Sequence, residues 1–336
     1  MPCRRPLSQH GLVDASLLAT ALERAPFADN DGKSGATLER VVLADGGRVI
    51  VKRFDPADDL VMRITGDTRG REVEMFQRGT FDLLPAEVGH AVVGGWFEEG
   101  HAVLVMRDLG DAPLGWSDRL DEAQCKSLLR GITALHRAFH ERPPEGLTPL
   151  GSLVGLFEPD RIRPYAGEEL VDYALRGWEH WAEIVPGELG ERVLALAKDT
   201  SPLVAALEAR PPTFVHGDLA TVNLALEGDR LVLIDWGMSS AAPGAVDIGR
   251  FLAGCAHMLN VSSDDFLGMY RGEAADVYDE KATRLGLLGG LVWLGWNKAL
   301  DIAEHPDREV RDRERASLEW WLARAAEGLD ELTPYT

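Results

Sequence analysis

Between Phe214 and Asp247 the chain reads FVHGDLATVNLALEGDRLVLIDWGMSSAAPGAVD, and this stretch restricts its fold more than any other. An apolar run ends in His216-Gly217-Asp218. Two further apolar runs meet at Glu227-Gly228-Asp229, a turn signal between strands, and the second of them ends at Asp235 before Trp236-Gly237. Strand ends and short loops are where a rigid sheet holds polar side chains in open space. Asp218 and Asn223 share one such loop, and Asp235 closes the strand that follows. His-Gly-Asp with an asparagine five residues on arises by chance on the order of once in a thousand chains of this length. The strand ending in Asp-Trp-Gly makes coincidence rarer still. The competing reading is that Asp218 and Asn223 only cap turns.

The rest of the pattern places this window in an α+β chain. LVDASLLATALER, from Leu12 to Arg24, has apolar residues at helical spacing behind Asp14, a plausible cap. LERVVLADGGRVIVKRF reads as a β-hairpin turning at Asp45-Gly46-Gly47, and AVVGGWF with HAVLVMRDL reads as a second, turning near Glu98-Glu99-Gly100. Between them, Arg71 to Leu84 turns helical. After Gly110 the helical period dominates, with the β window as an interlude and helix again from Ala245 onward. The simplest architecture is a small β-rich N-lobe over residues 1–108 and a larger, mostly helical C-lobe over 109–336.

Composition removes several classes of function. The chain has 336 residues, 45% hydrophobic and 27% charged, which suits a globular fold with a substantial core. A formal net charge of −20 argues against nucleic acid or anionic membrane as a partner. Three scattered cysteines, Cys3, Cys125 and Cys255, have no metal-ligand spacing and read as reduced thiols of a cytoplasmic protein. The N-terminus has no apolar run behind its arginines, so no signal peptide is expected. The most apolar stretch, Leu285 to Trp296, falls short of the roughly 20 residues a membrane span needs and is expected to be a buried helix.

Phosphoryl transfer needs the kind of set that Asp218, Asn223 and Asp235 make. One carboxylate positions a hydroxyl and accepts its proton, while an amide oxygen and a second carboxylate hold Mg²⁺ against phosphates. HGDLATVN and IDWG closely resemble the catalytic loop and metal-binding motif of the aminoglycoside phosphotransferase and choline kinase superfamily. The resemblance implies a two-lobed, protein-kinase-like fold and a small-molecule kinase. It implies that Asp218 is the catalytic base, that Asn223 and Asp235 are Mg²⁺ ligands, that His216 braces the loop, and that Asp247 in GAVDIGRFL anchors the loop by hydrogen bonds. Ala220 stands where protein kinases have a lysine, which argues against a protein substrate.

The same resemblance assigns nucleotide contacts in the first lobe. Lys52, ending RVIVKRF, would meet the phosphates of ATP or GTP. Glu72 in RGREVEMF would be its partner, with Glu74 the alternative. Ser34 in DGKSGAT would lie in a nucleotide-covering turn, and backbone groups near Met106 and Asp108 would bind adenine. Gly32-Lys33-Ser34 is not a P-loop, because Phe27 occupies the place of the required glycine. His136 in LHRAFH reads as structural. A non-haem iron site built on His216 and Asp218 would leave Asn223 and Asp235 without a task, and a pseudokinase should have lost one of these residues. The acceptor is a small molecule whose class the residues leave open: aminoglycosides, other antibiotics, choline, sugars, nucleosides or amino acids. Glu179 and the tryptophans Trp178, Trp181, Trp293 and Trp296 could receive a cationic or sugar-like ligand, although tryptophans at helical spacing more often form core.

Overall fold

The computed structural model describes residues 13–27, 35–98, 100–110, 112–115 and 117–332. In chain order its elements are α1 (Ala15–Ala19), β1 (Glu23–Pro26), β2 (Thr37–Val42), β3 (Arg48–Phe54), α2 (Leu60–Thr65), α3 (Arg71–Gln77), β4 (Val88–His90), β5 (Val92–Glu98) and β6 (His101–Arg107). There follow α4 (Glu122–Ala138), α5 (Leu150–Val154), α6 (Pro159–Ile162), α7 (Glu169–Ile184), α8 (Glu188–Lys198) and α9 (Ser201–Glu208). Four short strands come next: β7 (Thr213–Val215), β8 (Leu224–Glu227), β9 (Arg230–Leu233) and β10 (Ser240–Ala242). The chain closes with α10 (Ala245–Cys255), α11 (Ser263–Ala274), α12 (Glu280–Glu304) and α13 (Arg308–Leu332). Two compact units result. One comprises Met1–Arg63, Asp67–Leu83 and His90–Gly110, the other Ile64–Gly66, Leu84–Gly89 and Asp111–Thr336.

The first unit is built on a five-stranded antiparallel sheet in the order β1-β2-β3-β6-β5. The period-2 alternation of RVIVKRF gives the sheet two faces. Val49 and Val51 join Val41, Val103, Val105 and Leu18 in one apolar cluster. Lys52, one residue out of step, turns to the face covered by α3, whose Glu72, Val73 and Met75 are buried. Asp67 sets the start of α3: its carboxylate accepts from the backbone amides of Arg69, Gly70 and Arg71.

The expected helix from Leu12 to Arg24 is cut short. Asp14 does cap it, accepting from Leu17 N at 2.9 Å, but it ends at Ala19. Leu22 N then bonds Val42 O, drawing Glu23–Pro26 onto the edge of the sheet, where Arg24 meets Glu39. Pairing with the edge of β2 gives the backbone groups on one side of this segment their partners. A second helix unexpected from the sequence, α2, starts behind Asp59, whose carboxylate accepts from Met62 N.

In the second unit the long apolar helix α12 packs against α10, α7 and α13. Leu285 to Trp296 lies inside it, largely buried, and no helix among the described residues is long and apolar enough to cross a membrane. Glycines let α10 and α12 touch backbone to backbone. A Cβ on Gly249 would stand 1.9 Å from Gly286 O, and one on Gly290 would stand 2.3 Å from Gly249 O. Gly249→Ala is therefore expected to destabilise by about 1–3 kcal/mol through overpacking, against a helix-propensity gain of at most ~1 kcal/mol. Urea unfolding reads the sign directly, and a stabilised variant would refute the close-packing account.

Candidate active site

β7 pairs antiparallel with β10 and delivers His216-Gly217-Asp218 at its end. Gly217 has φ +83°, and a Cβ there would lie 2.2 Å from Met238 O, so only glycine makes this bend. The loop is held from below by Asp247, in the first turn of α10 and fully buried. One of its carboxylate oxygens accepts from Gly217 N at 2.8 Å. The other accepts from His216 N at 2.9 Å and from His136 Nε2 at 3.0 Å. His136, on α4, is thus a structural residue that helps orient Asp247. The His216 ring donates from Nε2 to Ile234 O at 3.0 Å and lies 5.0 Å from the buried Trp236 ring, which ties the loop to the end of β9.

On this support the Asp218 side chain stays 28% exposed and open to solutes. Asn223 donates from Nδ2 to Asp218 O at 2.9 Å and to Asp218 Oδ2 at 3.0 Å. Both bonds use the amide nitrogen, which orients Oδ1 for a donor or cation. Asn223 O also accepts from Ile234 N at 3.0 Å, which brings it beside Asp235 across the β8–β9 hairpin. Asp235 adopts a left-handed conformation, φ 63°, ψ 63°. Asp tolerates this better than most residues, and such backbone settings cluster at functional sites.

Among the described residues no group of three or more His, Cys, Asp or Glu could hold a metal ion. Asn223 and Asp235 offer hard oxygen donors from neighbouring positions, which fits Mg²⁺, an ion that takes its remaining ligands from phosphates and water. Cys255 lies behind the loop, with its thiol pushed up by burial and its Sγ 3.9 Å from Thr221 Oγ1. It is packing, not a nucleophile.

In the sheet unit, Lys52 Nζ stands 3.5 Å from Glu72 Oε2, with both side chains largely buried. Glu74 faces outward to Arg69 and Arg78 instead. Asp108 is heavily engaged: its amide donates to Arg48 O, its Oδ2 pairs with Arg40 at 2.9 Å and its Oδ1 accepts from Gly110 N. Met106 lies in β6, in register with Ile50 and Val92. Ser34 lies outside the described residues. Trp178, Trp181, Trp293 and Trp296 are all buried. The indole nitrogens of Trp178 and Trp181 bond Phe157 O and Gly190 O, so those two belong to the core.

One residue at the site has no sequence signal of its own. Arg250 Nη2 lies 2.7 Å from Asp218 Oδ1, and its Nε lies 3.0 Å from the same oxygen. The two residues are 32 apart in sequence, and GRFL on a helix gives no hint of where its arginine ends.

The chain thus has an α+β kinase-like fold that gathers a loop carboxylate, an asparagine of the same loop and a strand-end aspartate in one place. The family model of the phosphotransferase enzyme family, APH, matches residues 33–285, and the chain belongs to that family. It is a small-molecule phosphotransferase. No curated protein matches its sequence. Among solved structures it is similar to the aminoglycoside phosphotransferase APH(3'')-Id from Streptomyces rimosus, at 18% identity over 80% of this chain and 92% of that one, with a TM-score of 0.51. It is also similar to a thermostable mutant of aminoglycoside phosphotransferase APH(4)-Ia, solved with AMP-PNP and hygromycin B, at 11% identity over 91% and 95% of the two chains and a TM-score of 0.53. At these identities the likeness concerns the fold.

Proposed function

We propose that the enzyme transfers the γ-phosphoryl group of ATP or GTP to a hydroxyl of a small molecule, with Asp218 as the base. The observation that carries this reading is the placement of Asp218 and Asn223, joined at 3.0 Å on one braced loop, with Asp235 at the adjoining strand end. The acceptor oxygen attacks the γ-phosphorus, the bond to the β-phosphate's bridging oxygen breaks, and the hydroxyl proton passes to Asp218. Asn223 Oδ1 and Asp235 would hold Mg²⁺, which supplies charge neutralisation along the triphosphate when bound. Lys52, oriented by Glu72, would neutralise further phosphate charge. Because Asp108 spends its amide within the sheet unit, the contribution expected of it to adenine is its carbonyl oxygen.

The neighbour solved with AMP-PNP and hygromycin B supports a nucleoside triphosphate donor and makes antibiotics the first acceptors to try, ahead of choline-like amines, nucleosides and sugars. Sparse thiols, two of them buried, support a cytoplasmic setting. The test is nucleotide-dependent phosphorylation of a pooled acceptor library, read by mass spectrometry as the gain of one phosphate. A product formed by the wild type and not by Asp218→Asn upholds the reading. No product, together with no binding of Mg²⁺-AMP-PNP, overturns it. Asp235→Ala is expected to weaken Mg²⁺-AMP-PNP binding about 10–100-fold by calorimetry. Unchanged affinity would remove Asp235 from the metal site.

A further inference from the structure

Asp218 is gripped from both sides. Arg250 reaches it from α10, one turn beyond Asp247, and places Nη2 at 2.7 Å and Nε at 3.0 Å from Oδ1. Asn223 Nδ2 holds Oδ2. The guanidinium is itself fixed. It lies over the Trp293 ring at 4.8 Å from its centroid, and its side chain is only 12% exposed. Gly254, four residues further along α10, makes room for it, since a Cβ there would stand 2.6 Å from Nη1. That Nη1 is buried without a hydrogen-bond partner.

Burying a guanidinium with an unmet donor costs stability, and an apolar side chain of similar volume would serve packing better. The arrangement is therefore poorly explained as a device of folding. It is well explained as a device of orientation, because a planar guanidinium meeting a carboxylate through two nitrogens fixes angle as well as distance. The loop offers no cation of its own, since position 220 is a buried alanine.

We propose that Arg250 is a positioning residue for phosphoryl transfer: from α10, and through the platform of Trp293 and Gly254, it locks the Asp218 carboxylate in the orientation that receives the acceptor's proton. This rests on Asp218 being the base. Arg250 neither gains nor loses a proton in the step. It keeps a fixed positive charge beside a carboxylate whose own charge is lost as the proton arrives.

The test compares Arg250→Met, Arg250→Ala, Arg250→Lys and Gly254→Ala with Asp218→Asn in the 336-residue chain, using the acceptor found in the library or, without one, Mg²⁺-ATP hydrolysis by water. Arg250→Met is expected to lower kcat about 100-fold, as loss of alignment does. The KM for ATP should stay within about threefold, because the nucleotide is held elsewhere. Millimolar guanidinium ion should restore part of the rate lost in Arg250→Ala, where truncation leaves room for it, and Arg250→Lys should retain part of it. Gly254→Ala keeps the charge but crowds it, and is expected to cost about tenfold in kcat. Melting curves on every variant separate these losses from unfolding. Wild-type kcat in Arg250→Met beside an inactive Asp218→Asn overturns the inference and leaves the base in place. A loss that follows the unfolded fraction and resists guanidinium overturns it too. Full activity in Asp218→Asn would instead sink the proposed base, and this inference with it.

Discussion

Asp218→Asn is expected to lower kcat about 10²–10⁴-fold, the range general-base catalysis contributes, while Mg²⁺-AMP-PNP affinity changes little. The amide is nearly isosteric with the carboxylate but cannot take a proton. It also fits its surroundings badly. Arg250 presents two donors to Oδ1 and Asn223 presents one to Oδ2, so either orientation of an amide sets its own N–H groups against a donor. Orientation and proton acceptance are lost together, whereas Lys52 and Glu72 keep their pairing in the sheet unit. Steady-state rates give kcat and calorimetry gives affinity. Near-wild-type turnover with the true acceptor would strip Asp218 of the role assigned to it.

Asp247→Ala is expected to destabilise the protein by about 3–5 kcal/mol, the cost of breaking a buried polar cluster from one side. Its carboxylate is 0% exposed and serves three donors: His216 N, Gly217 N and His136 Nε2. Removing it leaves all three without an acceptor in a closed interior, and each unmet group carries its own desolvation penalty. A fall of roughly 10 °C in Tm follows from that loss. Turnover should fall further than the folded fraction, because the His216–Asp218 bend loses its anchor. Asp247→Asn should sit between the two, since one amide oxygen can still accept while its nitrogen opposes a donor. A melting point for Asp247→Ala within about 2 °C of wild type would show that the cluster is not a structural anchor.

Much of the candidate site is legible in the sequence. The loop residues Asp218 and Asn223 and the strand-end Asp235 lie within one short window, and their spacing is set locally by a turn and a hairpin. The hairpin at Asp45-Gly46-Gly47 was equally plain, and in the structure Gly46 takes φ +83° while Gly47 N donates to Asp45. β1 was not legible: Glu23–Pro26 is exposed throughout and shows no alternation. Its strand character comes from the edge it docks on, which belongs to a segment some fifteen residues away.

Local chemistry is thus what the sequence by itself determined: the loop residues Asp218 and Asn223, the strand-end carboxylate of Asp235 and the alternation that sends Lys52 to the opposite face from Val49 and Val51. These follow from backbone sterics and short-range periodicity, which neighbouring residues carry among themselves. Only the tertiary structure decided which distant groups meet. It paired Lys52 with Glu72 and not Glu74, because only one of those two positions on α3 faces the sheet. It set His136 against Asp247 across 111 residues. It laid Arg250 between Trp293 and Asp218, where glycine-to-glycine contact of α10 with α12 brings the helices close enough for the stack to form. Such meetings depend on how whole elements pack, and a side chain's identity does not encode the partner that packing brings to it.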